Sequence, residues 1–263
     1  MKGETVDELG GYGLRVIQRS EGYRFSIDPV LLAAFARGSS AARIIDLGAG
    51  SGVVSLLLAR LTGATELIGV ELQEDLAVLA RRNAELNGLS DRIRIVAADV
   101  MSLRTLYPVS SFDLVVANPP YRRRGTGKVS PKAGRDLARH ESTAALADFL
   151  AIAKYLVAPG GRICFIHHPE RLAEFLSVAR DLKLSPLRLR MVHGSLMHDA
   201  RMFLVELAKG RRGALRIMPP LAVYSEDGSY RDEVAAMLAG ESVRTIDLGD
   251  TLKDWTVWHD DNN

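Results

Sequence analysis

A glycine-rich turn is the first feature of this sequence that suggests chemistry. Residues 46–52 read DLGAGSG and directly follow a short apolar run. Glycines let the backbone turn sharply and let a ligand approach with no Cβ atom in the way. The spacing differs from the dinucleotide pattern G-x-G-x-x-G, because Val53 stands where that pattern needs its third glycine. No Gly-Lys-Ser/Thr sequence follows, so a phosphate-binding P-loop is not supported either.

Three acidic residues, Asp46, Glu71 and Asp99, follow or end three successive predicted strands. Each alone could be a helix cap, but together with the glycines they favour a ligand site. Their charge suits a cationic ligand such as S-adenosylmethionine, which carries an α-ammonium and a sulfonium group. Glu71 is placed to accept hydrogen bonds from ribose hydroxyls, and Asp99 from an adenine amino group. The expected cofactor site consists of Asp46, Gly48, Ala49, Gly50, Gly52, Glu71, Leu72, Asp99, Val100 and Asn118.

A second turn follows the fourth predicted strand and reads Asn118-Pro119-Pro120-Tyr121. Two prolines fix φ and remove two backbone donors, which leaves the Asn118 side chain and the Pro119 carbonyl as rigid acceptors. Such acceptors suit a planar amino group with two N–H donors. Tyr121 offers a ring on which the base bearing that amine could stack. Asn-Pro is also a common start of an ordinary turn, so the position beside the cofactor acids is what favours a catalytic role.

The charge of the chain is unevenly distributed. The whole sequence carries 34 Lys and Arg against 32 Asp and Glu, a net charge of +2. Residues 122–140 contain seven basic residues and one acid, so they carry +6 and the remaining 244 residues carry −4. This stretch holds almost no large apolar side chain and is typical of a loop. Because it follows the second turn directly, we expect a substrate-binding role for Arg122, Arg123, Arg124, Lys128, Lys132, Arg135 and Arg139.

The predicted elements place both turns at one edge of a sheet. Helices alternate with strands, which predicts an α/β, doubly wound, mainly parallel sheet of seven strands. The strands are predicted at residues 43–47, 66–71, 92–97, 112–116, 162–167, 186–193 and 200–208. The last two are expected to form an antiparallel edge hairpin.

Ahead of that sheet, strands are predicted at 14–19 and 23–27, and Asp28 is predicted to cap a helix that starts with Pro29. Pro159-Gly160-Gly161 is predicted to end the helix that begins near residue 146. We expect residues 1–40 to form an N-terminal extension packed on the core. Residues 41–240 should form the main domain, and residues 241–263 a C-terminal tail.

Composition narrows the class of protein. Apolar residues make up 47% of the chain, which excludes a disordered protein. The single cysteine, Cys164, excludes a disulfide scaffold and indicates a reducing, cytoplasmic location. No apolar run approaches the length of a membrane span, and the N-terminus lacks a signal-peptide pattern, so no membrane partner is expected. Cys164, His167 and His168 lie in a predicted strand without a second ligand pair, so no metal is expected.

The motifs DLGAGSG and NPPY, with Glu71 and Asp99, resemble those of Rossmann-like S-adenosylmethionine-dependent methyltransferases that act on exocyclic or amide nitrogen. The chain more closely resembles bacterial tRNA(Val) adenine-N6 methyltransferases, which modify the adenine just 3′ of the anticodon. Residues 23–32, 138–141 and 209–224 carry that closer resemblance, which spans about residues 10–240. It implies a catalytic role for Asn118, Pro119, Pro120 and Tyr121, tRNA as partner, and Tyr23 and Arg24 beside the cofactor or the base.

Several alternatives stay open at this point. A protein glutamine N5-methyltransferase shares NPPY, although about 40 residues ahead of the first sheet strand leave no room for the helical domain such enzymes carry. DNA adenine and rRNA guanine methyltransferases, and a non-catalytic cofactor- and RNA-binding module, are further candidates. For two smaller basic clusters, an RNA-binding surface and an ordinary solvent-exposed surface are equally good interpretations. The clusters are Lys183, Arg188 and Arg190, and Lys209, Arg211, Arg212 and Arg216. The sequence does not indicate the oligomeric state.

Overall fold

The computed structural model describes residues 3–20, 26–38, 41–119, 146–211 and 213–241. The strands are Glu4–Leu9 (β1), Leu14–Arg19 (β2), Arg43–Leu47 (β3), Glu66–Glu71 (β4), Ile93–Ala97 (β5), Phe112–Ala117 (β6), Val157–His167 (β7), Leu184–His193 (β8), Ala200–Lys209 (β9), Arg216–Ile217 (β10) and Leu221–Ala222 (β11). The helices are Asp28–Ala36 (α1), Val53–Leu61 (α2), Glu74–Leu86 (α3), Leu103–Leu106 (α4), Leu146–Leu156 (α5), Leu172–Asp181 (α6) and Asp232–Leu238 (α7). Within these ranges, every helix is too short or too polar to cross a membrane.

The main sheet has the strand order β10-β8-β9-β7-β6-β3-β4-β5, with β11 also paired to β8. Strands β5, β4, β3, β6 and β7 run parallel, whereas β9 is antiparallel to both β7 and β8. The doubly wound, mainly parallel sheet with an antiparallel hairpin is therefore confirmed. Two details were not predicted: β9 lies between β7 and β8, and the two-residue strands β10 and β11 extend the sheet beyond seven strands.

Burial explains why β3 and β6 occupy the middle of the sheet. Ile44, Ile45 and Leu47 on β3 are fully buried, as are residues 114–117 on β6. Strands covered on both faces are apolar almost throughout rather than alternating. One face packs against a cluster that includes α1, α2 and α3, and the other against a cluster that includes α5 and α6. The carboxyl ends of the parallel strands consequently meet along one edge between two helical layers.

Strand β7 begins earlier than the sequence predicts. Helix α5 ends at Leu156, and β7 runs from Val157 through the Pro-Gly-Gly segment that was expected to end the helix. Val157 pairs with Phe112, and the next aligned pair is Leu114 with Arg162, so residues 158–161 bulge out of the ladder. Gly160 adopts φ +78°, a conformation that glycine tolerates without a steric cost. Proline and glycine here mark a bulge in a strand rather than a break between elements.

The N-terminal extension forms a separate two-stranded sheet. Strand β2 is confirmed at Leu14–Arg19, and it pairs antiparallel with β1, which was not predicted. The β1 segment lacks a clear apolar face, and its Val6 side chain is 57% exposed. Of the predicted strand at 23–27, residues 23–25 lie outside the described residues. Ser26 and Ile27 are described and are not in a strand. The prediction that Asp28 caps α1 is wrong, because the helix begins one residue earlier: Asp28 is its first residue and Ile27 occupies the cap position. Pro29 lies in the first turn, where its missing N–H costs no helical hydrogen bond.

Candidate active site

The glycine turn between β3 and α2 is held against the neighbouring strand β4. The backbone N–H groups of Gly48 and Ala49 both donate to the Val70 carbonyl at 2.8 Å. Gly48, Gly50 and Gly52 adopt φ values of +77°, +57° and +84°. This left-handed region costs other residues roughly 1–2 kcal/mol each. The turn therefore requires glycine at all three positions.

Space around these glycines differs from one to the next. A Cβ atom on Gly52 would lie 3.1 Å from the Ala80 Cβ atom, and one on Gly48 would lie 3.7 Å from the Phe149 ring. A Cβ atom on Gly50 would meet nothing within 4 Å. Gly52 thus permits close packing of α3 on the turn, whereas a Cβ atom on Gly48 would make only an ordinary contact. Gly50 presents bare backbone on an open side, as a ligand-binding turn needs.

Asp46 lies near the end of β3 and is only 2% exposed. The Ser55 hydroxyl on α2 donates to Asp46 Oδ2 at 2.8 Å. Burial, and to a smaller extent the nearby Glu71 charge, raise the pKa of this carboxyl to about 7, against the opposing effect of the Ser55 hydrogen bonds. At neutral pH the buried carboxyl therefore holds a proton part of the time. A cation bound beside it would favour the ionised form.

Glu71 ends β4, and both of its carboxylate oxygens already accept a backbone hydrogen bond. The Gly50 N–H donates to Oε2 at 2.8 Å, and the Gln73 N–H donates to Oε1 at 2.9 Å. Burial raises the pKa of Glu71, which these hydrogen bonds oppose. The Leu72 N–H is a third backbone donor to this carboxylate. A carboxylate can accept about four hydrogen bonds, so Glu71 retains acceptor capacity for a ligand hydroxyl. The neighbouring Leu72 side chain is 41% exposed at the same edge.

Asp99 follows β5 and caps the short turn at Val100–Ser102. Its Oδ1 atom accepts from the Met101 N–H at 2.9 Å. Val100 is buried in the core cluster on the α5 face of the sheet. Because Glu71 aligns with Ala97 on β5, Asp99 lies just beyond Glu71 at the same edge. The structure thus brings the three predicted acids to the ends of three neighbouring strands.

The second predicted turn lies beside the first. Leu47 on β3 aligns with Ala117 on β6, so Asn118 leaves its strand next to Gly48. Pro119 is buried and Asn118 is half-buried. The other predicted residues lie outside the described residues: Pro120, Tyr121, Tyr23, Arg24, Arg122, Arg123, Arg124, Lys128, Lys132, Arg135 and Arg139.

Several residues with chemical potential take structural roles. Cys164 is fully buried, and burial raises the pKa of its thiol to about 12. Arg188 forms an ion pair with Glu206 at 2.5 Å, and Arg190 pairs with Glu233 at 2.5 Å. Both arginines therefore have an acidic partner within the protein. Among the described residues, no three His, Cys, Asp or Glu side chains gather in a way that would hold a metal ion.

Two polar residues of the site were missed in the sequence. Ser55 is fully buried within an otherwise apolar part of α2 and holds Asp46. Asn83 is fully buried on α3, and its Nδ2 group donates to the Ser51 carbonyl of the glycine turn at 2.9 Å. In both cases a polar residue at a buried position of a helix was the available signal, because buried polar groups normally have a specific partner.

Comparison with known proteins agrees with this arrangement. The doubly wound fold, with the glycine turn and three acids at the carboxyl ends of its parallel strands, defines a Rossmann-like methyltransferase. The family model described as "Methyltransferase domain" matches residues 38–200, and the chain belongs to that family.

Relatives within the family are more specific. A tRNA1(Val) (adenine(37)-N6)-methyltransferase of Aeromonas hydrophila is 30% identical over 206 residues, which cover 78% of this chain and 84% of the relative. One of the same name from Porphyromonas gingivalis is 34% identical, over 64% of this chain and 68% of the relative. Among solved structures, a predicted O-methyltransferase from Agrobacterium tumefaciens superposes with a TM-score of 0.67 at 26% identity, covering 82% of this chain and 98% of its own.

The glycine turn offers a direct test of the cofactor site. We expect Gly50→Ala to lower the affinity for S-adenosylmethionine at least about tenfold, because the added methyl group projects into the open side of the turn. The same change should lower stability by only roughly 1–2 kcal/mol, the cost of the left-handed conformation. Calorimetric titration with S-adenosylmethionine and thermal unfolding measure the two effects.

Gly13→Ala is the matched control for that variant. Gly13 has φ +60° and, like Gly50, open space where a Cβ atom would stand, but it lies in the turn between β1 and β2. It should lose the same stability and keep full cofactor affinity. Equal affinity in both variants would show that Gly50 does not contact the cofactor.

Proposed function

We propose that this protein transfers a methyl group from S-adenosylmethionine to the exocyclic N6 of an adenine in tRNA. The observation that carries the proposal is the shared edge of the sheet. Asp46, Glu71 and Asp99 end or follow three neighbouring strands there, and Asn118 leaves the next strand beside the glycine turn. The relatives named as tRNA1(Val) (adenine(37)-N6)-methyltransferases support tRNA as the substrate and adenine as the base.

The residues at this edge fit S-adenosylmethionine. Open space at Gly50 admits a ligand, and Glu71 would use its remaining acceptor capacity for the ribose hydroxyls. Asp46 would face the α-ammonium group, whose positive charge would offset the burial that raises the pKa of this carboxyl. Asp99 would accept from the adenine amino group, with Leu72 and Val100 beside the ring.

Asn118 and Pro119 would position the acceptor nitrogen. Adenine N6 is a poor nucleophile because its lone pair is delocalised into the ring. The Asn118 side-chain oxygen and the Pro119 carbonyl would accept its two hydrogens and favour a pyramidal nitrogen with its lone pair available. When bound, S-adenosylmethionine supplies a methyl group on positively charged sulfur, so positioning provides most of the rate. Deprotonation can follow transfer, and no residue needs to serve as a dedicated general base.

The remaining predicted residues would bind the RNA. Tyr121 would stack on the target base, with a contribution of about 1–3 kcal/mol. The target base must leave its stack to reach the pocket, at lower cost in a loop than in a duplex. The +6 stretch that follows Tyr121 would contact neighbouring phosphates, and its contribution should weaken as salt concentration rises. We place this activity in the cytoplasm, as the single, buried cysteine favours.

The identity of the acceptor decides between this proposal and its alternatives. The protein is incubated with methyl-labelled S-adenosylmethionine and, separately, total tRNA, rRNA, DNA and a protein extract. Nucleoside analysis of the labelled tRNA should then give N6-methyladenosine. Label in protein alone would indicate a glutamine methyltransferase, and label in DNA or in rRNA guanine would indicate the other nucleic-acid enzymes. Cofactor binding with no label in any acceptor would indicate a binding module.

A further inference from the structure

Two asparagines, Asn83 on α3 and Asn87 directly after its last residue, bind the backbone of β2 in the same way. The Asn83 side chain accepts from the Ile17 N–H at 2.7 Å and donates to the Ile17 carbonyl at 3.2 Å. The Asn87 side chain accepts from the Arg15 N–H at 2.8 Å and donates to the Arg15 carbonyl at 2.7 Å. Each amide therefore replaces one residue of a neighbouring strand along the free side of β2.

The spacing of helix and strand makes this double contact possible. Residues four apart on a helix lie on one face and rise about 6 Å along the axis. Residues two apart on a strand are separated by about 6.8 Å and point their backbone groups to the same side. Since β1 occupies the other side of β2, Arg15 and Ile17 present their groups to α3. The N-terminal hairpin is thereby fixed to the helix that follows β4.

Asn83 makes one contact that Asn87 does not. Its second Nδ2 hydrogen reaches the Ser51 carbonyl in the glycine turn at 2.9 Å. The Asn83 side chain is fully buried, whereas Asn87 is half-buried and donates instead to the Asn83 carbonyl within α3, at 2.7 Å. Both amide hydrogens and the amide oxygen of Asn83 thus have protein partners. A fully buried amide with this set of partners has one orientation only.

We propose that Asn83 is a positioning residue for the cofactor site. It fixes the Ser51 carbonyl, and with it the peptide plane that leads into Gly52, while the Glu71 carboxylate fixes the Gly50 N–H on the other side. Through Ile17 it also links the N-terminal hairpin to the turn. This inference rests on the proposed function only in naming S-adenosylmethionine as the ligand of the turn; the contact itself is independent of it.

The experiment compares Asn83→Ala, Asn83→Asp and Asn87→Ala with the unmodified chain. Asn83→Asp keeps the acceptor for the Ile17 N–H and the shape of the side chain, but it removes both amide donors, the one to the Ser51 carbonyl and the one to the Ile17 carbonyl. Titration calorimetry with S-adenosylmethionine should give a dissociation constant raised about tenfold in both Asn83 variants, because both lose the one hydrogen bond that holds the Ser51 carbonyl of the glycine turn. Asn87→Ala should change it less than about twofold, because its contact with Arg15 leaves the glycine turn untouched.

A second measurement does not depend on any ligand. Hydrogen–deuterium exchange of the peptide covering residues 46–56 should be faster in both Asn83 variants and unchanged in Asn87→Ala. Equal affinity and equal exchange in the three variants would overturn the role of Asn83, as would a failure of both Asn83 variants to fold while Asn87→Ala folds. Absence of S-adenosylmethionine binding by the unmodified chain would instead contradict the proposed function, and exchange would still decide the role of Asn83.

Discussion

Replacing Asn118 with alanine is expected to lower the rate of methyl transfer by about 10²–10³ while the affinity for S-adenosylmethionine changes less than about threefold. The reason is that Asn118 follows β6, beside the glycine turn but not within it, so the backbone of that turn stays in place when the Asn118 side chain is shortened. Its acceptor oxygen matters most when the amine becomes pyramidal in the transition state. Single-turnover kinetics with tRNA and calorimetric titration with the cofactor measure these quantities separately.

Asn118→Asp is the control for that variant, because a carboxylate keeps an acceptor oxygen at the same place. We expect it to retain more activity than Asn118→Ala if hydrogen-bond acceptance is what the residue supplies. Equal inactivity of the two variants would mean that the amide group as a whole is needed, for example as a donor to the base. A parallel loss of cofactor affinity in Asn118→Ala would contradict the separation of roles between the two turns.

The elements of the parallel sheet could be predicted because their signals are local. Apolar runs bounded by glycine, proline or acids mark β3 to β6, and helix α3 ends at Asn87-Gly88 as its sequence indicates. The edge where the acids meet follows from the parallel topology, since carboxyl ends of parallel strands share one edge. For the same reason, the proximity of the Gly48 and Asn118 turns could be predicted without any knowledge of side-chain packing.

Features that depend on tertiary pairing could not be predicted in this way. Strand β9 lies between β7 and β8. The sequences of β8 and β9 would look the same if their order in the sheet were reversed, so they do not predict which of them is next to β7. Strand β1 pairs with β2 at the periphery, and of its residues only Leu9 packs against a core cluster. Its sequence therefore shows no apolar alternation. Asn83 occurs at helical spacing with the apolar residues of α3, and only the fold shows that its partner is Ser51.

The uneven charge of the chain takes on a physical meaning at this edge. Within the −4 part of the chain, Asp46 and Glu71 lie buried beside the glycine turn, where their negative charge favours a cationic methyl donor. The +6 stretch follows the Asn118 turn in sequence and suits a polyanionic acceptor. Under the proposed function, two ligands of opposite charge would be attracted to adjacent turns, and the net charge of +2 is the sum of the charges that serve each of them.

Glu71→Gln and Asp46→Asn should have different effects on stability although burial raises the pKa of both carboxyls. The two oxygens of Glu71 accept from two separate residues, so an amide in its place would turn an N–H group towards the Gly50 or the Gln73 N–H. That variant should be less stable than the unmodified chain. The described hydrogen bonds that Asp46 accepts come from one residue, Ser55, through its hydroxyl and its backbone N–H, and an amide oxygen can still accept from the hydroxyl.

Asp46→Asn is therefore expected to make the ligand-free protein more stable at pH 8 and to weaken cofactor binding at least about tenfold, through loss of the charge partner of the α-ammonium group. The folded-state pKa of about 7 lies above the ordinary value of 3.8, so the folded form holds the proton more tightly and loses stability from this carboxyl as pH rises through that window. The difference between these two pKa values sets an upper limit of about 4 kcal/mol on the increase in the free energy of unfolding of Asp46→Asn.

Thermal unfolding as a function of pH should show most clearly the difference in stability between Asp46→Asn and the unmodified chain. The variant should unfold several degrees higher than the unmodified chain at pH 8, and the two curves should converge towards pH 4, where Asp46 is protonated when folded. In the unmodified chain, affinity for S-adenosylmethionine should rise between pH 5.5 and about 7.5, below the pKa of the ligand amino group, and the variant should lose that dependence. A variant that is less stable at pH 8 yet binds the cofactor normally would show that Asp46 serves the fold and not the ligand.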